Sequence, residues 1–270
     1  MPPPTRQPPP EPDRWIRGFH RAPDGARQLV CFPHAGGGAS YFFAASRALA
    51  NARPPVQVLA AQYPGRHDRR HEPAFERVDA LADATVAALL AGGWLDPARP
   101  PALFGHSMGA VVAFEVARRL ERDAGLVAAG LFVSGRRAPS TRRAERTHLL
   151  DDRGLVDELR RLSGTEGDLL DDDEIVAMIL PAVRGDYRAI ETYQADPSAR
   201  VNAPVTALVG TDDPLTTIQE AAAWREHTTA EFGLHVLPGG HFYLNSQLSA
   251  VLDIVAGAGV AVSARRDHRV

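Results

Sequence analysis

The chain contains no lysine: all 30 of its Lys+Arg residues are arginine. Every mechanism that needs a side-chain amine is excluded with it, including Schiff-base catalysis, pyridoxal phosphate attachment and the phosphate-binding lysine of a Walker A loop. Cysteine is nearly absent too. The single thiol, Cys31, can form neither an internal disulfide nor a multi-thiolate metal site, and its place in an apolar run assigns it to the core. Long hydrophobic runs are missing: the apolar stretch Ala256 to Val262 falls far short of the ~20 residues that span a bilayer. No apolar stretch near the N-terminus has the form of a signal sequence, so the expected compartment is the reducing cytoplasm, with no membrane partner. A formal net charge of -3 provides no broad field for polyanions, and no nucleic-acid partner is expected.

What is present is a globular composition, 44% hydrophobic and 23% charged over 270 residues, a length that an α/β fold can fill as one domain. The proline-rich opening has almost nothing to bury, so residues 1–13 are expected to be an extended, mobile tail, with residues 264–270 frayed at the other end. Between them, residues 14–263 read as one domain. Apolar, β-branched runs at Gln28 to Phe32, Val56 to Gln62, Ala102 to Phe104, Gly130 to Ser134, Val205 to Val209 and Leu234 to Leu237 predict buried strands. Helical periodicity separates or follows them at Tyr41 to Leu49, Val78 to Leu90, Gly109 to Leu120, Ile218 to His227 and Leu248 to Ala256. This alternation predicts an α/β fold with a mainly parallel sheet covered by helices on both faces. From Gly135 to Ala203 the strand rhythm stops. Amphipathic pieces at Leu155 to Leu162, Glu174 to Leu180 before Pro181, and Tyr187 to Tyr193 predict that residues 135–203 form an inserted helical subdomain.

The string Gly105-x-Ser107-x-Gly109 lies between an apolar strand and an apolar helix, the context of a nucleophile elbow. Flanking glycines suit a strained turn in which side chains would clash, and the following helix N-terminus supplies a backbone N–H to a developing oxyanion. A serine hydroxyl needs a base, and the base needs an orienting group. His241 follows the last predicted strand in a turn-rich loop and is the candidate base. Gly210-Thr-Asp-Asp-Pro, after the strand before it, leaves Asp213 or Asp212 as the acid, with the Gly-x-x-Asp spacing favouring Asp213. The order Ser, Asp, His is that of α/β-hydrolases. For the oxyanion, the glycine-rich loop after Phe32 offers the N–H of Ala35 beside that of Met108; no dinucleotide fingerprint accompanies those glycines.

Other groups read as structural. His67 and His71 sit between prolines with arginines nearby, which suits a surface loop better than a zinc site. The carboxylates Asp171 to Glu174 lack calcium-loop spacing and suit the first turn of a helix. Neither a metal nor a bound cofactor is expected.

Phe32-Pro-His-Ala-Gly-Gly, Tyr63-Pro-Gly-Arg, Phe104-Gly-His-Ser-Met-Gly-Ala, Ser134-Gly-Arg-Arg-Ala-Pro, Leu180-Pro with Asp186-Tyr, and Pro238-Gly-Gly-His-Phe, in this order, resemble the stand-alone type II thioesterases that accompany polyketide and nonribosomal peptide synthetases. The resemblance covers most of the chain. It implies an α/β-hydrolase fold, Ser107, Asp213 and His241 as triad, the 135–203 insertion as a lid over an acyl chamber, and release of acyl groups from the phosphopantetheine arm of an acyl or peptidyl carrier protein. His67 departs from the family, which more often has glycine after Pro-Gly-Arg. The lid helices should then wall the acyl site, with Met178 and Ile179 setting acyl length. The basic run Arg136, Arg137, Arg142, Arg143 and Arg146 would receive an acidic carrier. Two other functions use the same residues differently: an acyltransferase or small-molecule esterase shares the triad, and a non-catalytic carrier-binding chaperone needs none of it.

Overall fold

The strands β1 (Ile16–Arg17), β2 (Arg27–Phe32), β3 (Val56–Ala61), β4 (Ala102–His106), β5 (Gly130–Ser134), β6 (Val205–Gly210) and β7 (Phe232–Leu237) form one sheet, ordered β1-β3-β2-β4-β5-β6-β7. Only β1 runs antiparallel to its neighbour. The computed structural model from which this is read describes residues 11–163 and 170–264. The five inner strands, β2 to β6, bury both faces, whereas β7 at the edge is half-exposed. Val30, Leu59, Leu103, Leu131 and Val205 point into one core, packed under α3 (Val78–Ala91) and α4 (Met108–Ala124). Their neighbours Leu29, Val58, Phe104, Phe132 and Leu208 point into the other, under α2 (Phe43–Ala50) and α8 (Leu248–Ala264). Successive side chains leave a strand on opposite faces, so a sheet covered on both sides requires the unbroken apolar runs seen in the sequence.

The predicted strands and helices are present, with shifts at their ends, except that Ala39–Phe42 and Ala223–His227 are 3₁₀ helix, so that the predicted helices at Tyr41 to Leu49 and Ile218 to His227 are α-helical only in part. β1 has no counterpart among the predictions, because two residues are too short to show periodicity. Residues 1–10 of the expected tail lie outside the described residues; Pro12–Trp15 form a one-turn helix, α1, although the tail was expected to reach residue 13. Residues 265–270 of the expected frayed end also lie outside them, and α8 continues well past Ala256 to Ala264.

Between β5 and β6 the described chain carries a short turn of 3₁₀ helix at Thr147–Leu149, then α5 (Asp152–Ser163) and α6 (Asp173–Thr192). Leu155, Val156, Leu180 and Val183 form a small core of their own where α5 meets α6. The side chain of Asp172 caps α6 by accepting from the N–H groups of Glu174 and Ile175, so the carboxylate run starts a helix as its sequence suggested. One expectation is corrected here. The helix does not stop before Pro181 but runs through it, joining the two predicted pieces. Ala177 and Pro181 both lie on the exposed side, where water can serve the carbonyl that the proline ring leaves without a donor.

Candidate active site

Ser107 sits between β4 and α4 at φ 54°, ψ -119°, one of two non-glycine residues with positive φ among those described. Non-glycine residues seldom adopt that conformation, and strain of this kind persists only where the surroundings enforce it. They do so by contact. A Cβ on Gly105 would lie 2.0 Å from the carbonyl oxygen of Gly109, and one on Gly109 would lie 2.0 Å from that of Phe32. The elbow is thus pressed between its own helix and β2. The N–H of Ser107 donates to the carbonyl of Ser134 at 2.8 Å, tying the turn to the end of β5.

His241 lies in the loop after β7, and its Nε2 accepts from the Ser107 hydroxyl at 3.0 Å. Its Nδ1–H donates to the carboxylate of Asp213, 3.0 Å from each oxygen. The sequence left Asp213 and Asp212 open, and it is Asp213 that reaches the imidazole. Asp213 is buried in the loop after β6 and also accepts the N–H of Leu215 at 2.8 Å. Asp212, next to it, is exposed and accepts from the hydroxyl of Thr211. A capping box at Thr217 and Glu220 starts the following helix, α7 (Ile218–Ala222).

Ser107 and His241 line a cavity of about 630 Å³, together with Ala35 and Met108. Val183 and Tyr187 of α6 and Leu159 of α5 also line it. Ile179 lines it too, whereas Met178 is 54% exposed and does not. Cys31 faces a separate apolar cavity in the layer of α2 and α8, and burial pushes its thiol pKa up. His67 and His71 are exposed, and no group of three metal-ligating side chains gathers among the described residues.

Several buried or half-buried groups around the site carried no role in the sequence reading. His34 and His106 flank His241; burial first, then the proximity of His241, lowers the His34 pKa to about 3 and that of His106 well below the imidazole range. His106 Nδ1 is 3.0 Å from the Ser134 hydroxyl, which is 2.6 Å from that of Tyr243. Arg66 grips Asp186 of α6 with two hydrogen bonds, at 2.5 and 2.8 Å, and Asp186 also accepts the N–H of Gly36 at 2.8 Å. These two residues had a signal: they stand in Tyr63-Pro-Gly-Arg and Asp186-Tyr, strings with no evident chemistry of their own. The basic run is largely dissolved. Arg136 and Arg137 are buried, Arg137 pairs with Glu145, and Arg143 pairs with Glu220 at 2.6 Å, leaving Arg142 and Arg146 as its exposed cations without an ion pair among the described residues.

A family model described as thioesterase domain matches residues 27–258. Among curated proteins, the chain is 49% identical over 256 residues to thioesterase PikA5 of Streptomyces venezuelae, covering 95% of this chain and 89% of that one. It is 51% identical over 245 residues to a probable cadicidin biosynthesis thioesterase of Streptomyces griseus, covering 91% and 66%. Among solved structures, the type II thioesterase BorB from the borrelidin biosynthetic cluster matches with a TM-score of 0.84 at 48% identity, over 92% of this chain and 98% of that one.

Proposed function

Given that the chain belongs to the thioesterase family, with an α/β-hydrolase fold, we propose that it releases acyl groups from the phosphopantetheine arm of a carrier protein by serine catalysis, clearing acyl groups during polyketide or nonribosomal peptide biosynthesis. The observation that carries this reading is the relay from Ser107 through His241 to Asp213 at 3.0 Å per step, open to a cavity of about 630 Å³.

Ser107 Oγ attacks the thioester carbonyl while His241 Nε2 takes its proton, and Asp213 holds the imidazole in the tautomer that can accept it. The carbonyl oxygen gains the charge and is held by the N–H groups of Ala35 and Met108, the latter at the N-terminus of α4 where the helix dipole adds to the donor. Collapse of the tetrahedral adduct breaks the C–S bond, and the thiolate takes the proton from His241. Water, deprotonated by the same histidine, then attacks the acyl-enzyme and returns Ser107. Residues 135–203, with the α5–α6 core, act as a lid over the acyl chamber within a hydrolase domain of residues 14–263. A buried, strained serine already bonded to a base supports catalysis over the chaperone function, since docking a carrier requires neither. The test is mass spectrometry of acyl-loaded carrier protein. Wild-type enzyme should shift the carrier to its free-thiol mass and the S107A variant should not; an unchanged acyl-carrier mass with both sinks the proposal.

A further inference from the structure

Among the described residues five arginines are buried: Arg66, Arg69, Arg119, Arg136 and Arg137. Four of them form ion pairs, with Asp186, Glu72, Glu115 and Glu145 respectively. Arg136 is the exception. It is 9% exposed, yet its guanidinium forms no ion pair and donates no hydrogen bond to any described residue. A largely buried cation whose donors open only onto cavity space needs acceptors from water or from whatever fills that space.

Its position says where that acceptor would come from. Arg136 lines the same cavity as Ser107 and His241, and also borders a smaller cleft shared with Arg137 and Arg142. It directly follows Gly135, where a Cβ would come within 3.4 Å of Cε1 of His241. Of the groups whose charges act on it, Arg137, Glu145, Glu191 and Tyr187, all but Arg137 also line that cavity. Neither carboxylate is available to it. Glu145 is held by both terminal nitrogens of Arg137, one at 2.8 Å. Glu191 accepts the N–H groups of Thr147 and His148 at 2.9 and 3.1 Å, and the His148 ring as well. Burial and the neighbouring Arg137 push the Arg136 pKa down to about 10, which leaves it charged at neutral pH.

We propose that Arg136 determines acyl specificity by donating hydrogen bonds to an uncharged oxygen, a hydroxyl or ketone, carried on the acyl group beyond the thioester carbonyl. The enzyme would therefore release oxygenated acyl groups in preference to alkyl groups of the same length. The acceptor is uncharged because Glu145, Glu158 and Glu191 of the cavity wall are already balanced by Arg136, by Arg161 and by Arg137 on Glu145, so the wall offers no net positive charge that would favour an acyl carboxylate. This inference rests on the acyl-thioester reading above.

The experiment compares kcat/KM for N-acetylcysteamine thioesters of butyryl, 3-hydroxybutyryl, 3-oxobutyryl and malonyl groups, which lack both carrier and phosphate and so isolate the acyl contribution. A hydrogen bond to a charged donor corresponds to a preference of about tenfold to a hundredfold for the hydroxy and oxo substrates over butyryl in the wild type. In R136M that ratio should fall to about one. Equal rates for the matched substrates in the wild type overturn the proposal, whether or not R136M folds; so does a preference that survives in folded R136M. Malonyl as the best substrate overturns the assignment of an uncharged oxygen. Wild-type hydrolysis of butyryl without the preference would fail this inference alone, whereas hydrolysis of none of the four would fail the thioesterase reading beneath it.

Discussion

Replacing Ser107 by alanine removes one oxygen from a packed turn and leaves its backbone contacts intact. S107A should abolish thioester hydrolysis and labelling by a serine-directed phosphonate while the circular dichroism spectrum stays native; phosphonate labelling at another residue would refute the assignment. The two adjacent aspartates separate in the same way. Asp213 is buried against His241 and Asp212 is exposed, so D213N should lower kcat by a factor on the scale of ~10⁴, and D212N by much less. His34 and His106 give the stability a pH dependence of known sign. Both are kept neutral in the fold, first by burial and then by His241, with Arg66 adding to His34, and His34 to His106. In the unfolded chain each binds a proton near pH 6.5, so the unfolded state holds more protons below that value, and stability falls as pH drops from there toward the folded pKa, about 3 for His34. Each group should contribute a slope of up to about 1.4 kcal/mol per pH unit. Urea denaturation between about pH 6 and 5, where most carboxylates are still ionised, should show this decline and a shallower one in H34F.

At the scale of elements, the Arg66–Asp186 pair joins three of them. Asp186 belongs to α6, Arg66 to the loop after β3, and the N–H that Asp186 accepts belongs to Gly36, beside Ala35 in the loop after β2. Arg66 also donates to the carbonyl of Gly37 at 3.2 Å, so the pair holds the glycine-rich loop from both sides. Breaking a buried pair by removing one partner costs about 3–5 kcal/mol. D186L should lose that much in denaturant melts. The double variant R66M/D186L should regain much of it but not kcat, because no acceptor remains for Gly36; recovery of full kcat would show that the loop holds itself. On α6, I179W should shorten the longest acyl group hydrolysed, since Ile179 lines the cavity. M178W should leave the chain-length profile unchanged, since Met178 faces solvent.

For the whole molecule, the question is how a carrier would approach. Pairing and burial reduce the basic run to Arg142 and Arg146, and Arg146 stands between Glu145 and Thr147, both of which line the cavity. Charge steering acts on association and is screened over ~10 Å at 0.1 M salt. R142E/R146E should therefore raise KM for acyl-carrier protein and flatten its salt dependence, with hydrolysis of a small thioester nearly unchanged. Equal losses on both substrates would point to damage in the lid instead.

Most of this architecture was written locally. Continuous apolar runs specified strands buried on both faces, the glycines at 105 and 109 specified the elbow, and the loops after β6 and β7 offered the acid and base, because these features depend on a residue's own chain neighbours. The basic run was misleading for the same reason: charge read along a chain ignores partners distant in sequence, such as Glu220 for Arg143, 77 positions away. The choice of Asp213 over Asp212, the pairing of Arg66 with Asp186 120 positions away, and the unpartnered burial of Arg136 belong to the tertiary structure. Desolvation and ion pairing depend on what the fold brings within a few ångströms, and that is decided only when the sheet, its loops and the helices between β5 and β6 have packed together.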